Sequence, residues 1–316
     1  MGMYDQVLAI QWIKDNAKHF GGDPDNILLF GESAGGYSTS LHMVSPLSRN
    51  LFKRAILQSG SAFHPMYSKE NHALRKGSQT VSKIVGCAAN DEDLAENPKK
   101  VVECMKNLPA EKFAEADEVL FKNLELLVPT VGDEFLPMSP TDLFRQGDFK
   151  DSEVLLGVTK DEGSMFVSLK LGFDNEEHFG QSIDITAFNE TTAKQVTKSY
   201  AVNKDYEKVI QTYFKRAEEE SRYTYLDAAS DITGDFLITC AVVFQADFQS
   251  LKNHPVFFYL FDYRTPSSPF PEWVGVPHFE ETPYVFGNPL WGTFSENEEE
   301  LSKDIMDMWT TFAKTG

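Results

Sequence analysis

The sequence predicts an α/β fold with a mostly parallel central sheet flanked by helices. Short apolar runs bounded by polar residues recur along the chain, and such runs are typical of strands buried on both faces. Segments with helical periodicity separate these runs, as crossover helices separate the strands of a parallel sheet. A chain of 316 residues with 41% hydrophobic residues is long enough for one large core, so we expect a single domain over residues 1–316.

The first part of the chain predicts a helix, a strand and a second helix in succession. Residues 4–19 carry apolar side chains at helical spacing, and the Gly-Gly-Asp-Pro sequence at 21–24 ends this helix. The apolar run at 26–30 predicts a short buried strand, and residues 34–43 can continue as a helix. The sequence Gly31-Glu32-Ser33-Ala34-Gly35 joins that strand to that helix.

This junction has the strand–turn–helix context of a nucleophile elbow, in which a serine lies on a sharp turn. Such a turn strains the backbone at the serine, so the neighbouring residues must be small, as Gly31, Ala34 and Gly35 are. The first amides of the following helix point to the place where an oxyanion would form. Ser33 is therefore a candidate nucleophile, and an ordinary glycine-rich turn is the alternative.

The next two strands extend the parallel sheet. Residues 52–57 predict another buried strand, which places Ser59 at the same carboxyl edge of the sheet as Ser33. The chain then turns polar and charged from 68 to 125, which indicates a helical excursion. Strand character returns in the apolar run at 153–158.

The rest of the chain predicts helices around one aromatic strand. Residues 192–235 have a helical, surface-like pattern, and residues 256–263 form the strand. The final helix covers residues 296–314, with acidic residues at its start. One face of this helix carries apolar side chains, namely Leu301, Ile305, Met308, Trp309 and Phe312.

Charge and cysteine content limit the classes of partner. The chain has 48 acidic and 29 basic residues and a net charge of −19, which disfavours nucleic acid and anionic membranes. Its three cysteines form no Cys-x-x-Cys pair, so we expect neither a metal nor a cofactor.

A Cys87–Cys104 disulfide suits an oxidising compartment, and three buried free thiols are the alternative. The sequon Asn189-Glu190-Thr191 favours a glycosylated, secreted or extracellular protein. The sequence is compatible with a homo-oligomer and does not determine the oligomeric state.

A serine hydroxyl is a weak nucleophile at neutral pH. Ser33 therefore needs a histidine as general base and a carboxylate that orients the imidazole. In hydrolases that carry a nucleophile elbow the chain order is serine, acid, histidine. Of the seven histidines, His278 alone follows a strong strand on a long loop. The others lie in helical patterns, precede any suitable acid, sit at the amino edge or follow no strand: His19, His42, His64, His72, His178 and His254.

Two adjacent carboxylates are candidates for the acid. The strand at 153–158 leads directly to Asp161 and Glu162, which places both at the carboxyl edge of the sheet. Spacing alone does not separate the two residues, and either could also be a solvated loop acid.

Six sequence blocks spread over the whole chain carry a family resemblance. They are Gly2-Met3-Tyr4-Asp5-Gln6, Phe20-Gly21-Gly22-Asp23-Pro24, Gly31-Glu32-Ser33-Ala34-Gly35-Gly36, Gln58-Ser59-Gly60, Gly157-Val158-Thr159-Lys160-Asp161-Glu162-Gly163 and Gly275-Val276-Pro277-His278. In content and order they resemble the type-B carboxylesterase and cholinesterase family, which has the α/β-hydrolase fold.

The resemblance implies a hydrolase of small-molecule carboxylic esters with a Ser-His-Glu triad. It implies that Ser33 is the nucleophile, His278 the general base and Glu162, rather than Asp161, the acid. It further implies supporting roles for Glu32 and for Ser59, which matches a serine that supports the triad histidine. Finally, it implies a loop disulfide between Cys87 and Cys104, and an unpaired Cys240.

Members of this family begin upstream of Met1, with a glycine-rich oxyanion loop, and continue beyond Gly316. We therefore expect a partial sequence, incomplete at both ends, with any signal peptide in the missing N-terminal part. The Ala34 amide is then the oxyanion donor that remains. Because one such donor contributes roughly 2.7–4 kcal/mol, we expect this chain alone to be weakly active or inactive.

Met165 stands where choline-selective members resemble one another in having an aromatic residue, which weakens a cation–π site there. The sequence therefore favours a general carboxylesterase. The alternatives are an acetylcholinesterase-like enzyme and a non-catalytic cholinesterase-like adhesion or binding ectodomain. Such ectodomains usually lack a member of the triad, whereas Ser33, Glu162 and His278 are all present.

Overall fold

A computed structural model describes residues 2–64, 72–123, 127–171, 188–198, 206–219 and 224–316. The chain divides into two compact units, of which the larger comprises residues 1–65 and 140–316 and the smaller residues 66–139. The expectation of one domain over residues 1–316 stays a prediction.

A parallel sheet organises the larger unit. Within the described residues its strands lie side by side in chain order: β1 (Leu28–Glu32), β2 (Arg54–Gln58), β3 (Val154–Thr159) and β4 (Val256–Phe261). Leu57 of β2, for example, pairs with Gly31 of β1 and with Leu156 of β3. Since neighbouring strands are parallel, their carboxyl ends all lie at one edge of the sheet. The predicted α/β class with a parallel sheet is confirmed.

The strand boundaries differ from the predicted ones by one or two residues. The run at 26–30 predicts the first strand, whereas β1 covers Leu28–Glu32 because its pairing continues to Glu32 opposite Gln58. The carboxyl end of β1 therefore lies directly before Ser33. At the other side of the sheet, β4 ends at Phe261 rather than at residue 263.

Helices flank this sheet and form the smaller unit. Those described are α1 (Gly2–Asn16), α2 (Ala34–Val44), α3 (His72–Ile84), α4 (Asp93–Glu96), α5 (Pro98–Lys106), α6 (Ala114–Asn123), α7 (Pro140–Gln146), α8 (Glu162–Lys170), α9 (Glu190–Lys198), α10 (Tyr206–Glu219), α11 (Thr224–Gly234), α12 (Cys240–Ser250), α13 (Thr282–Val285) and α14 (Glu296–Thr315). A π-helical stretch, Asp235–Thr239, joins α11 to α12. Among the helices that the structure describes, none has the length and apolar character to span a bilayer.

The two faces of the sheet bury separate apolar clusters. Ala55 and Leu57 of β2 belong to a cluster with Val154 of β3, whereas Ile56 packs in a second cluster with Trp309 of α14. Successive side chains of a strand point to opposite faces, and every residue of β2 is buried. This burial on both faces explains why the centre of the strand, residues 55–57, is a continuous apolar run rather than an alternating one.

The last helix, α14, presents its predicted apolar face with one exception. Ile305, Trp309 and Phe312 are buried, whereas Met308 is 54% exposed. At 100° per residue, Met308 lies at the edge of this apolar face, which accounts for its exposure. Ser295 caps the helix by accepting a hydrogen bond from the Glu298 amide.

The smaller unit contains α3 to α6 and its own apolar cluster. Val81 of α3 packs there with Ala116 and Leu120 of α6. Cys87 and Cys104 form a disulfide within this unit, as expected. The helical excursion predicted from 68 to 125 is confirmed for the part that the structure describes.

Candidate active site

Ser33 occupies the turn between β1 and α2. Its φ of 53° and ψ of −118° lie outside the regions that L-residues ordinarily adopt. The turn is also tightly packed, because a β-carbon at Gly36 would lie 2.9 Å from the Gln58 carbonyl oxygen and 3.0 Å from Cα of Gly60. The strained serine and the crowded glycine are the features that the elbow motif predicts.

Backbone hydrogen bonds hold the turn in place. The Ser33 amide donates to the Gln58 carbonyl at 2.9 Å, and the Ser33 carbonyl accepts from the Tyr37 amide at 2.9 Å. Helix α2 begins at Ala34. Because the first amides of a helix have no acceptor within it, the Ala34 N–H belongs to the group of donors that can serve an external anion.

A chain of hydrogen bonds joins Ser33, His278 and Glu162. Ser33 Oγ lies 2.8 Å from His278 Nε2, and His278 Nδ1 lies 2.6 Å from Glu162 Oε2. Ser33 follows β1, Glu162 begins the helix after β3, and His278 lies on the long loop after β4. The three residues that the sequence singles out as nucleophile, acid and base therefore come together at the carboxyl edge of the sheet.

The second oxygen of Glu162 is held by two further donors. Ser59 Oγ donates to Glu162 Oε1 at 2.5 Å, and the Thr159 amide donates to the same oxygen at 2.8 Å. The resemblance implies that Ser59 supports the histidine, and the Ser59 hydroxyl contacts the carboxylate that binds the histidine. The Thr159 amide was missed because a backbone donor has no sequence signal.

Asp161, the other acid candidate, points away from His278 Nδ1. Its Oδ2 accepts a hydrogen bond from the Val276 amide at 2.8 Å. Asp161 is the residue that precedes α8, whereas Glu162 is the first residue of that helix. The two adjacent carboxylates therefore face different partners, and Glu162 is the one that contacts the imidazole.

The imidazole of His278 is buried among acidic and aromatic side chains. The ring of Phe166, which the sequence analysis missed, lies 5.3 Å from it, centroid to centroid. Burial alone would lower the pKa of His278. The hydrogen bond and the charge of Glu162, together with the charges of Glu32 and Glu281, outweigh burial and raise the pKa above 6.5.

Glu32 lies close to the imidazole nitrogen that contacts Ser33. Its Oε1 is 3.2 Å from His278 Nε2 and the side chain is 10% exposed. Burial, opposed by the charge of His278 and reinforced by Glu281 and Glu162, raises the pKa of Glu32 to about 8. Glu32 therefore keeps its proton to a higher pH than a solvent-exposed glutamate does.

Glu281 is a third buried carboxylate near the histidine. Its Oε1 accepts hydrogen bonds from Gln58 Nε2 and from the Tyr259 hydroxyl, both at 3.2 Å. Burial, together with the charge of Glu162, raises the pKa of Glu281. The sequence analysis missed this residue because, among 48 acidic residues, only its position three residues after His278 sets it apart.

A cavity of about 520 Å³ opens beside the reactive hydroxyl. Ser33 and His278 form part of its wall, and Glu32 and Glu280 are its carboxylates. Its larger apolar side chains are Met165, Phe270, Phe279 and Phe294. The cavity is therefore mostly apolar, with Ser33 and His278 in its wall.

The remaining candidate residues lie away from this cavity. Cys240 is exposed and forms no disulfide within the described residues, and Asn189 is exposed just before α9. His42 and His64 are buried, and burial lowers the pKa of each to about 4. His178 lies outside the described residues. The part of the chain that the structure describes contains no group of three or more His, Cys, Asp or Glu side chains that could hold a metal ion.

Comparison with known proteins gives a single family. A family model described as "Carboxylesterase family" matches residues 1–316. The chain is 37% identical over 325 residues to the acetylcholinesterase of Bungarus fasciatus, and 35% identical over 338 residues to the acetylcholinesterase of Leptinotarsa decemlineata. It is 36% identical over 324 residues to the cholinesterase of Mus musculus.

These alignments include 100% of this chain and 52%, 50% and 52% of the three relatives, respectively. The chain thus spans about half the length of the curated relatives that it matches. The family match extends over all 316 residues and agrees with the parallel sheet and its strand–turn–helix junction at Ser33. The chain therefore belongs to the carboxylesterase family.

Proposed function

We propose that this chain carries the catalytic triad of a serine esterase, with Ser33 as nucleophile, His278 as general base and Glu162 as the orienting acid. The observation that carries the proposal is the unbroken chain of hydrogen bonds from Ser33 Oγ through the imidazole to the Glu162 carboxylate. It ends at the wall of a cavity of about 520 Å³, where a substrate can reach the hydroxyl.

In the acylation step, Ser33 Oγ attacks the ester carbonyl carbon while its proton moves to His278 Nε2. Glu162 accepts the hydrogen bond from Nδ1–H, which fixes the tautomer that leaves Nε2 free to take the proton. The tetrahedral intermediate then breaks its bond to the alkoxy oxygen, and His278 returns the proton to that leaving group. An alcohol and an acyl-serine are the products.

In the deacylation step, water takes the place of the alcohol. His278 Nε2 accepts a proton from the water as its oxygen attacks the acyl carbon, and then donates that proton to Ser33 Oγ. The carboxylic acid leaves and the serine is restored. The Ala34 N–H at the start of α2 is the proposed donor to the oxyanion in both steps.

The proposed substrates are small carboxylic esters with apolar groups. Met165, Phe270, Phe279 and Phe294 line the cavity, and apolar side chains favour neutral acyl or alkoxy groups. A general carboxylesterase is therefore the first choice.

An acetylcholinesterase-like specificity is the second candidate. Two of the relatives are named acetylcholinesterases, and Glu32 and Glu280 place two carboxyl groups at the cavity. Comparing kcat/KM for acetylcholine with that for its uncharged carbon analogue, 3,3-dimethylbutyl acetate, separates the two candidates. A preference for the cationic ester favours the second candidate, and equal or lower values favour the first.

Steady-state hydrolysis of a neutral ester by the complete protein tests the proposal. We expect Ser33→Ala to lower kcat by about 10³-fold or more, because the nucleophile is lost. Ser38→Ala is a matched control, since Ser38 lies on the same helix and its hydroxyl donates to the Gly35 carbonyl; it should change kcat by less than about threefold. Wild-type protein without turnover, or an unimpaired Ser33→Ala variant, contradicts the proposal and favours a binding protein.

We also propose that the protein is a secreted glycoprotein with its glycan on Asn189. The asparagine is exposed, and its sequon lies at the start of α9. The disulfide between Cys87 and Cys104 suits an oxidising compartment. A mass decrease on treatment with an N-glycosidase, absent from Asn189→Gln, supports this assignment, and equal masses contradict it.

A further inference from the structure

The loop that leads into His278 is held from two sides. Arg264 lies on one side, where its Nη1 donates to the Gly275 carbonyl at 2.5 Å and its Nη2 to the Phe270 carbonyl at 2.7 Å. Asp161 lies on the other side, one residue before Glu162. Arg264 and Asp161 therefore both hold the part of the loop that directly precedes His278.

Asp161 binds both polar backbone groups of one loop residue. Its amide donates to the Val276 carbonyl at 2.9 Å, and its Oδ2 accepts from the Val276 amide at 2.8 Å. Asp161 also forms an isolated parallel bridge with Pro277, which directly precedes His278. The segment after β3 therefore pairs directly with the loop that carries His278.

Gly275 fits this arrangement closely. Its φ is +65°, a conformation that favours glycine, and a β-carbon at this position would overlap the Asp161 carboxylate. The carboxylate therefore occupies the space in which any other residue would place a side chain. The absence of that side chain brings the loop within hydrogen-bonding distance of Asp161.

We infer that Asp161 is a positioning residue for the reaction, which sets the distance between Glu162 and His278 by clamping the backbone of Val276. This inference rests on the proposed function of the triad. The bond from His278 Nδ1 to Glu162 Oε2 is 2.6 Å long and joins the loop after β4 to the start of α8. Asp161 directly precedes Glu162 in the sequence. It also binds the backbone of Val276, which lies two residues before His278.

The test compares Asp161→Ala with Asp161→Asn in the complete protein. Alanine removes the acceptor, so we expect kcat to fall by about 10- to 100-fold with KM within about threefold, because a loosened base affects the chemical step. The inflection in the pH profile of kcat/KM should also move to lower pH, since a longer contact with Glu162 no longer raises the pKa of His278. Asparagine keeps an oxygen that can accept from Val276, so its kcat should stay within about fivefold of wild type.

A matched control is Asp262→Ala. Asp262 is also an aspartate just beyond a strand end, where it pairs with Lys160 at 2.6 Å and is exposed. Its removal should leave both kcat and the pH profile unchanged. Gly275→Ala provides a second route to the same result, because the added methyl group displaces the Asp161 carboxylate while Asp161 itself is kept.

The inference is overturned if Asp161→Ala and Gly275→Ala keep the wild-type kcat and pH inflection. It is also overturned if Asp161→Asn is as impaired as Asp161→Ala, since charge rather than the hydrogen bond would then matter. If Asp161→Ala does not fold, the other two variants test the inference. A wild-type kcat in Gly275→Ala, or a kcat of Asp161→Asn more than about fivefold below wild type, then overturns it. Failure of the proposed function has a different signature, because Ser33→Ala would then match the wild type in the same assay.

Discussion

At the scale of single residues, His278 combines deep burial with a raised pKa. Burial alone would favour the neutral imidazole, but the hydrogen bond and charge of Glu162, with the charges of Glu32 and Glu281, favour the protonated form more strongly. The imidazole is therefore well prepared to take a proton from Ser33 Oγ, 2.8 Å away. Since only the neutral imidazole can act as base, activity should rise with pH through a pKa above 6.5.

Glu162→Gln tests the role of the acid. Ser59 and the Thr159 amide both donate to Oε1, so the amide oxygen of glutamine should stay with these donors and its NH₂ group should face His278. The imidazole would then carry its proton on the wrong nitrogen, and we expect kcat to fall by about 10⁴-fold. Loss of the carboxylate charge should also move the inflection of the pH–rate profile to lower pH.

The control for this variant is Glu162→Asp, which keeps the charge but shortens the reach. It should lose less activity than Glu162→Gln and keep its inflection closer to that of the wild type. Wild-type kcat in Glu162→Gln, or an inflection that moves to higher pH, would contradict the assignment of Glu162 as the orienting acid.

At the scale of elements, the turn between β1 and α2 depends on close backbone packing. A methyl group at Gly36 would lie 2.9 Å from the Gln58 carbonyl oxygen, whereas a methyl group at Gly35 would meet nothing within 4 Å. We expect Gly36→Ala to lower the free energy of unfolding by about 1–3 kcal/mol. Gly35→Ala in the same helical turn should raise it by roughly 0.5–1 kcal/mol through helix propensity.

Urea unfolding of the two variants measures this difference, and ester hydrolysis shows whether the turn still presents Ser33. Equal stabilities for Gly35→Ala and Gly36→Ala would contradict the close packing of α2 against the end of β2. So would a Gly36→Ala variant that is more stable than the wild type.

The strands were predictable where burial on both faces makes the sequence apolar, as in β3 and in the centre of β2. The ends of the strands were harder to predict. Gly31 and Glu32 have weak strand propensity, and β1 includes them because it pairs with β2 as far as Gln58. Periodicity places Met308 on the apolar face of α14 but does not show that it is exposed at the edge of that face.

The site was predictable where chemistry follows chain position. Ser33 has a local motif, and His278 follows from its place after β4. Residue patterns alone left Asp161 and Glu162 equivalent, since adjacent residues share the same strand end. What separates them is direction, with Glu162 facing the imidazole and Asp161 facing Val276. The burial of Glu281 depends on packing between distant segments and has no local signal.

At the scale of the whole molecule, the parallel sheet assembles the site. Ser33, Ser59, Glu162 and His278 leave the sheet after β1, β2, β3 and β4, respectively. Because parallel strands end at one edge, groups that are 245 residues apart in sequence approach to 2.8 Å. The order serine, acid, histidine along the chain is thus the order of the strands across the sheet.

The most direct test of the central claim, that Ser33 is the activated nucleophile, is covalent labelling of the complete protein with a fluorophosphonate probe. The modified peptide is then identified by mass spectrometry. We predict one phosphonylated peptide with the adduct on Ser33, a labelling rate that rises with pH through the pKa of His278, and no adduct in Ser33→Ala. An adduct on another residue, or equal labelling of wild type and Ser33→Ala, would contradict the account.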